Sequence, residues 1–438
     1  MKFYNRNNEL DLLGRVLTQS KEESRMTVIM GRRRIGKTEL ARKCGDTTLL
    51  YFFVARKTEA LLCQDFVREA EEKLGIPLGW PSSFSELFRF LLQYSAQHPF
   101  TLIIDEFQDF QKINPSVFSE IQREWDLYKA TARMNLIISG SVFTLMKRIF
   151  EDAGEPLFGR ANQKMLLKPF STEVLKEILA DYNPDCTQED LLSLYAITGG
   201  IAWYVALMMD NGKCTRESML DYLTEENSPF IGEGKNILVE EFGTDYAMHF
   251  SILTCIASGL KTRGEIEAQL KTENIGSYLV RLEKYYGLIE KHLPIFSKET
   301  AKKVRYRLSD NFLTLWFRFF YKYQAYIENN ALGQLARIIA RDYDAYSGFA
   351  LERYFEQKLR ESGRYTHIGK YWDRKGEHEI DLIAVNEIDG IAEVYEIKKD
   401  AHRYNQALLQ TKVDVLLKEC KELSRMQVTL GSLSMEDM

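Results

Sequence analysis

Over the first third of the chain, short unbroken apolar runs alternate with longer amphipathic segments. Thr27–Met30, Thr48–Val54, Thr101–Ile104 and Asn135–Ser139 read as buried strands, and the segments between them as helices. That alternation predicts a parallel α/β sheet. From Ser171 to about Glu241 the apolar period turns helical, with Ser171-Thr172 and Thr187 as N-caps. Tyr246 to Asp310 predicts three short helices and then a hairpin with strands Leu288–His292 and Val304–Leu308, the pattern of a winged helix. An aromatic helix after Asn311 begins a connector. Beyond it the pattern predicts a helix over Phe349–Ser362, strands over Ile380–Val385 and Ala392–Lys398, a helix over Ala401–Ser424 and a final strand over Met426–Leu430.

The first strand runs directly into Gly31-Arg32-Arg33-Arg34-Ile35-Gly36-Lys37-Thr38, a full match to GxxxxGKT, followed by a helix predicted over Glu39–Cys44. The glycines let backbone N–H groups turn inward around phosphate oxygens, and the helix start adds partial positive charge. The motif predicts ATP binding, with Lys37 reaching the β- and γ-phosphates and Thr38 ligating Mg²⁺. A second signal is Leu102-Ile103-Ile104-Asp105-Glu106, an apolar strand ending in two carboxylates. Asp105 is expected to hold Mg²⁺ through water and Glu106 to polarise the attacking water. Adjacent strand residues face opposite ways, so the strand must end by Glu106 for the two to work at one site. Arg160, in Pro156-Leu157-Phe158-Gly159-Arg160, is a candidate arginine finger acting in cis or on a neighbouring subunit; the alternative is a surface salt bridge.

These pieces together resemble a known group. FYNRNNEL, GRRRIGKTEL, LIIDEFQ, LIISGS and PLFGR look like the prokaryotic archaeal-type ATPases of the STAND division, within the AAA-like P-loop proteins. The resemblance implies that Asn5, Arg6, Glu9 and Leu10 pack near the nucleotide base, with Arg6 as a nucleotide-side residue. It also implies that Ser139 senses the γ-phosphate; a plain strand-end turn is the alternative. The group often carries GGxPxY in its helical lid. Here Gly199-Gly200-Ile201-Ala202-Trp203-Tyr204 keeps the glycines and tyrosine but has Ala202 in place of the proline.

Composition narrows the setting. The 438 residues carry a net charge of −5, so nothing global marks a nucleic-acid or membrane binder. Six cysteines without a CxxC pair fit a reducing compartment, and the N-terminus has no apolar signal core, so a cytoplasmic location is expected. The aromatic stretch Phe312 to Ile327 is interrupted by Arg318 and Lys322 and reads as a buried helix, with no membrane partner. Locally, Arg281, Lys284, Lys291, Lys298, Lys302, Lys303, Arg305 and Arg307 outnumber Glu283, Glu290 and Glu299, a balance of +5 around the hairpin. With Asn274–Tyr286 as recognition helix, that patch either holds DNA or belongs to a spacer that relays the ATPase state.

The last segment carries Asp381, then Glu396 and Lys398, in the form D-x14-ExK. Glu396 and Lys398 face the same side of one strand, and Asp381 on the neighbouring strand would bring a second carboxylate to the same point. Two carboxylates suit Mg²⁺, and the lysine can activate water or stabilise charge on a phosphate. This resembles the PD-(D/E)xK nuclease superfamily, which implies an additional metal-side acid at Glu352. The charge of the region from Arg341 onward, 15 basic against 19 acidic residues, runs against a domain that grips DNA alone.

The expected fold class is therefore α/β. A P-loop NTPase parallel sheet (1–170) with a helical lid (171–243) is followed by a winged helix (244–310), a helical connector (311–345) and a restriction-endonuclease-like α/β domain (346–438). The expected function is an ATP-hydrolysing ATPase that gates a metal-dependent nuclease-like domain acting on DNA. The alternative is a nucleotide-dependent switch or DNA-binding regulator with an inactive nuclease-like domain and a protein partner. Oligomers are compatible with both.

Overall fold

In the computed structural model, residues 1–45, 48–242, 246–298, 303–373 and 376–438 are described. They divide into two units, one spanning Tyr4–Lys168 and the other comprising Met1–Phe3 with Pro169–Met438.

The first unit is built on five parallel strands, β1 (Arg25–Met30), β2 (Leu49–Phe53), β3 (Phe100–Asp105), β4 (Met134–Gly140) and β5 (Gln163–Leu166), in the order β2-β3-β4-β1-β5. The apolar pattern explains that order. The interior strands β3 and β4 are buried along their whole length and β1 in all but its first residue. The edge strands β2 and β5 carry half-buried or exposed positions beside their buried ones. One hydrophobic cluster, including Phe52, Phe66, Phe84, Phe107 and Trp125, covers one face of the sheet; a second, including Leu13, Ile29, Leu40 and Ile137, covers the other. β5 was not predicted, because four residues with alternating exposure leave no apolar run to read.

The second unit opens with helices Thr172–Tyr182 and Gln188–Thr198. Ser171 and Thr187 cap them as expected, each side chain accepting from the backbone N–H three residues on. The turn between the second and third helices explains the substituted lid motif. Gly200 has φ +77°, and a Cβ there would lie 2.6 Å from the Phe170 carbonyl oxygen. Ala202 is the first residue of helix Ala202–Asp210. Proline is tolerated at that position because its N–H has no intrahelical acceptor, and alanine suits it equally. Helices Arg216–Leu223 and Pro229–Phe242 complete this part.

Three further helices, Ala247–Ala257, Arg263–Leu270 and Gly276–Val280 with its continuation to Tyr285, precede an antiparallel hairpin of β6 (Ile289–His292) and β7 (Arg305–Leu308). Lys302 and the expected boundary at 243/244 lie outside the described residues. A helix over Leu332–Glu361 then runs unbroken for 30 residues. The expected boundary at 345/346 therefore falls inside one helix. Its buried residues Leu335, Ile339, Tyr343, Tyr346, Ala350, Leu351 and Tyr354 form one continuous stripe, so connector and C-terminal domain share it. The chain ends in a mixed sheet of β8 (His367–Trp372), β9 (Glu379–Asn386), β10 (Ile391–Ile397) and β11 (Gln427–Leu433). Its order is β11-β10-β9-β8, with β10 and β11 parallel and the other pairs antiparallel. The helix Gln406–Glu419 packs Leu409, Val413 and Leu416 on this sheet. β8 was not predicted; its first four residues are exposed or partly exposed.

Three of the basic residues around the hairpin are engaged in ion pairs. Lys303 pairs with Glu419 at 2.9 Å, and Arg305 pairs with Glu379 at 2.9 Å while its guanidinium lies over the Trp372 ring. Arg307 is held by Glu290 at 2.7 Å and by Glu356 of the long helix at 2.8 Å. Burial alone would push the Glu356 carboxyl up, but Arg307 outweighs it and holds the group down at about 2. A carboxyl depressed on folding stabilises fully above its ordinary value of about 4.3 and loses that contribution as pH falls through its folded value. Wild-type protein should thus lose on the order of 2–3 kcal/mol from this group between about pH 5 and pH 2, and Glu356→Gln should flatten that limb of the stability curve. Urea unfolding followed by tryptophan fluorescence across that range checks it.

Candidate functional site

The carboxyl ends of β1, β3 and β4 bring the predicted nucleotide residues together. With β4 inserted between β1 and β3, the P-loop leaves β1 at a crevice outside the strand ends, where ligands bind in open α/β sheets. Three φ values shape the loop: +153° at Gly31, +70° at Arg34 and +95° at Gly36. A Cβ on Gly31 would meet the Leu167 carbonyl oxygen at 2.7 Å, so only glycine fits beside that strand end. Lys37 is buried, and its Nζ donates to the carbonyls of Gly31 at 3.0 Å and Arg32 at 2.9 Å, which spans the loop from within. Arg32 to Ile35 complete the turn, with Ile35 buried in the core under it.

Asp105 is the centre of the site. Its Oδ2 accepts from Thr38 Oγ1 at 2.6 Å and Tyr51 OH at 2.8 Å, and its Oδ1 accepts from the Glu106 backbone N–H at 3.0 Å and from Ser139 Oγ. Burial pushes this carboxyl up, yet the donated hydrogen bonds outweigh it and keep the group below its ordinary value. Burial, and then the charge of Asp105, raise the Tyr51 phenol in turn, so Tyr51 acts as a fixed donor. An ionised carboxylate beside a threonine hydroxyl is a hard oxygen set that suits Mg²⁺. Thr38 and Asp105 are the residues that would hold the ion, which would supply charge neutralisation at the phosphates.

Glu106 meets the geometric condition set by the sequence. β3 ends at Asp105, and Glu106 takes a left-handed conformation with φ +54°, which turns its side chain out of strand alternation. Its Oε2 accepts from Gln108 Nε2 and from Ser141 Oγ at 2.7 Å. The two donors fix the direction of this carboxylate.

Ser139 is fully buried and gives its hydroxyl to Asp105, so it braces that carboxylate. Arg160 lies at the opposite edge of the sheet. It precedes β5, whose Gln163 pairs with Thr27 near the start of β1, and Asn162 accepts from the Met26 N–H. Its guanidinium binds Asp126 at 3.1 Å and the Phe158 carbonyl. A finger in cis is excluded by about five residues of strand, roughly 16 Å. Arg6 is buried and donates to the Lys168 carbonyl at 2.7 Å, next to the Leu167 that backs Gly31. It thus shores up the P-loop from the N-terminal box. The sequence reading gave no role to Tyr51, Gln108 or Ser141; Gln108 and Ser141 lay within the LIIDEFQ and LIISGS stretches, and Tyr51 in no motif.

The second predicted constellation lies in the C-terminal sheet. Asp381 on β9 and Glu396 on β10 are the next residues along the two strands after the antiparallel pair Leu382–Tyr395. Lys398 Nζ lies 3.0 Å from Glu396 and 3.8 Å from Asp381, and Asp381 also accepts from the Ile397 N–H at 2.9 Å. Burial, and then the charge of Glu352, raise the Asp381 carboxyl. Glu396 is buried, and its Oε2 has no hydrogen-bond donor, with Lys412 Nζ 3.6 Å away. Glu352 faces this group from the long helix but pairs with Lys370. Among the described residues, the three carboxylates do not form a preassembled set of metal ligands; the one such set is Asp373, Glu377 and His378 on an exposed loop. The ligand-poor buried oxygen of Glu396 and the raised Asp381 still make a cation the fitting complement.

Comparisons with known proteins place the chain in a family. Residues 3–208 match the family described as an ATPase domain predominantly from Archaea, and residues 316–421 match one described as archaea bacterial proteins of unknown function. An uncharacterized protein of Methanocaldococcus jannaschii is 30% identical over 405 residues, covering 90% of this chain and 87% of that protein. The chain belongs to this family of archaeal-type ATPases. Binding and hydrolysis of ATP are accordingly the chemistry of its P-loop unit. Among solved structures, the Walker-type ATPase PABY2304 of Pyrococcus abyssi is 21% identical and covers 72% of this chain and 96% of its own, with a TM-score of 0.54; it shares the fold. The ORC2 protein of Aeropyrum pernix matches at 14% identity over 78% of this chain and 96% of its own, with a TM-score of 0.47. Among the described residues, no helix is long and apolar enough to cross a membrane.

Two substitutions separate binding from hydrolysis at this site. Lys37→Ala should abolish retention of a fluorescent ATP analogue. Glu106→Gln should retain the analogue while steady-state phosphate release falls about 10²–10⁴-fold.

Proposed function

We propose that this ATPase is a nucleotide-dependent switch of the STAND type whose output is a cation-dependent, nuclease-like centre at Asp381, Glu396 and Lys398. The observation that carries the proposal is Lys398 Nζ between two carboxylates that meet across adjacent strands. In that role Asp381 and Glu396 would hold Mg²⁺, with Glu352 as a further acid when it leaves Lys370. Lys398 would stabilise negative charge developing on a phosphodiester. ATP bound at Lys37, Thr38 and Asp105 would act as the control input, and Glu106 would set how long the signal lasts.

The three helices and hairpin fit a winged helix used as a relay. Lys303, Arg305 and Arg307 spend their charges on Glu419, Glu379 and Glu356, which supports a relay over direct DNA contact. A four-charge ring joins the lid to the C-terminal centre in the same unit. Lys399, adjacent to Lys398, pairs with Glu189 at 2.8 Å and Asp344 at 3.3 Å, and Arg216 pairs with Asp344 at 2.8 Å.

A second reading has its own support. Lys370 on Glu352 and Lys412 beside Glu396 balance the carboxylates with lysines, as expected if the module binds a partner without cleaving. Supercoiled plasmid and circular single-stranded DNA, each incubated with full-length protein, Mg²⁺ or Mn²⁺, and with or without ATP, separate the two. Nicking that responds to ATP and disappears in Lys398→Ala is the expected result. No cleavage by wild type, or equal cleavage by Lys398→Ala, sinks the nuclease reading and leaves the binding module.

A further inference from the structure

A cavity of about 630 Å³ opens beside the carboxylate–lysine centre, within the range of roughly 300–1,000 Å³ typical of ligand sites. Glu352 and Lys398 form part of its wall. Phe349 lies one helical turn before Glu352 on the long helix, so both side chains share one face. Phe349 is 55% exposed although it lines a concavity, and neighbouring Gly348 leaves open space where a side chain would stand. Arg403 enters from the other side with its side chain 80% exposed, and its nearest acid, Asp400, is 3.9 Å away.

The charges of the wall are close to balanced. Arg216 and Lys399 are held by Glu189 and Asp344, and Lys398 by Glu396. A wall of this kind cannot grip the paired phosphate rows of a duplex, which demand many uncompensated cations. A solvent-facing aromatic ring in a cavity that also holds an exposed, loosely paired guanidinium is instead the arrangement that receives an unpaired base and its phosphate.

We infer that this cavity is a binding subsite for single-stranded nucleic acid, with Phe349 as the stacking platform for a base and Arg403 on the adjoining phosphate. The inference rests on the proposed centre at Asp381, Glu396 and Lys398, and it names the substrate form that centre takes. It places an unpaired nucleotide beside Glu352 and Lys398, where a phosphodiester would meet the cation.

The test is fluorescence anisotropy of full-length protein with a short fluorescein-labelled single strand, as DNA and as RNA, and with the matching DNA duplex, in Ca²⁺ buffer. The single strand should bind more tightly than the duplex. Phe349→Ala should weaken binding about tenfold, and Phe349→Trp should restore it. The salt dependence should correspond to one or two phosphates, a slope near −1 on logarithmic axes. The DNA and RNA arms report which sugar the site prefers. Unchanged binding by Phe349→Ala, duplex binding as tight as single strand, or no binding by wild type overturns the inference. Plasmid cleavage with unchanged Phe349→Ala binding removes this inference alone. Phe349-dependent binding with no cleavage removes only the nuclease reading.

Discussion

The nucleotide site hangs on one buried carboxylate. Asp105 collects donors from the P-loop helix through Thr38, from an edge strand through Tyr51, from the adjacent interior strand through Ser139 and from its own chain through the Glu106 N–H. An ionised carboxylate costs several kcal/mol to bury, and this one is stable only while those donors are in place. The strand order follows from the same need. With β4 between β1 and β3, Ser139 stands level with the end of β3, where its hydroxyl reaches Asp105. Any ligand that draws on Asp105 or Thr38 therefore disturbs hydrogen bonds in three separate strands and a helix.

A second electrostatic constraint organises the larger unit. The hairpin is locally basic and the C-terminal segment locally acidic, and these two excesses face each other in ion pairs. Arg307 and Glu356 are both largely buried, and removing one partner of such a pair typically costs about 3–5 kcal/mol. The pairing fixes how the hairpin meets the long helix and spends three of the local positive charges within the protein.

What the sequence made legible was whatever local pattern controls. Continuous apolar runs gave away β1, β3 and β4 because strands buried on both faces cannot alternate. Ser171 and Thr187 were readable as caps because N-capping is decided within three residues. The P-loop and the Asp105-Glu106 pair were readable because phosphate and metal chemistry demand those residues in that order. Tyr51 and Ser141 were not, since each enters the site through a fold contact with a residue far away in sequence. The cis option for Arg160 falls for a related reason. A loop arginine near the core in sequence says nothing about which end of the sheet the loop occupies. The meeting of Asp381, Glu396 and Lys398 was legible as a strand-pair pattern. The lysines that counter the acids, Lys370 and Lys412, come from β8 and from a helix, where no motif marks them.

The long helix ties the lid and the C-terminal centre to one stiff rod. Thirty residues make a rod of about 45 Å. Its middle is bolted to the lid by Tyr343 OH on Ser193 at 2.9 Å and Tyr346 OH on the Ala196 carbonyl at 2.9 Å, while Glu352 and Glu356 ride further along it. A rod cannot absorb a tilt, so it behaves as a lever. Turning the lid by about 5° would carry the far end through about 2 Å, since roughly 22 Å of helix lies beyond Tyr346. Reactive groups generally have to be held to about 0.5 Å. A lid rotation too small to break any helix would therefore be large enough to assemble or dismantle whatever Glu352 contributes.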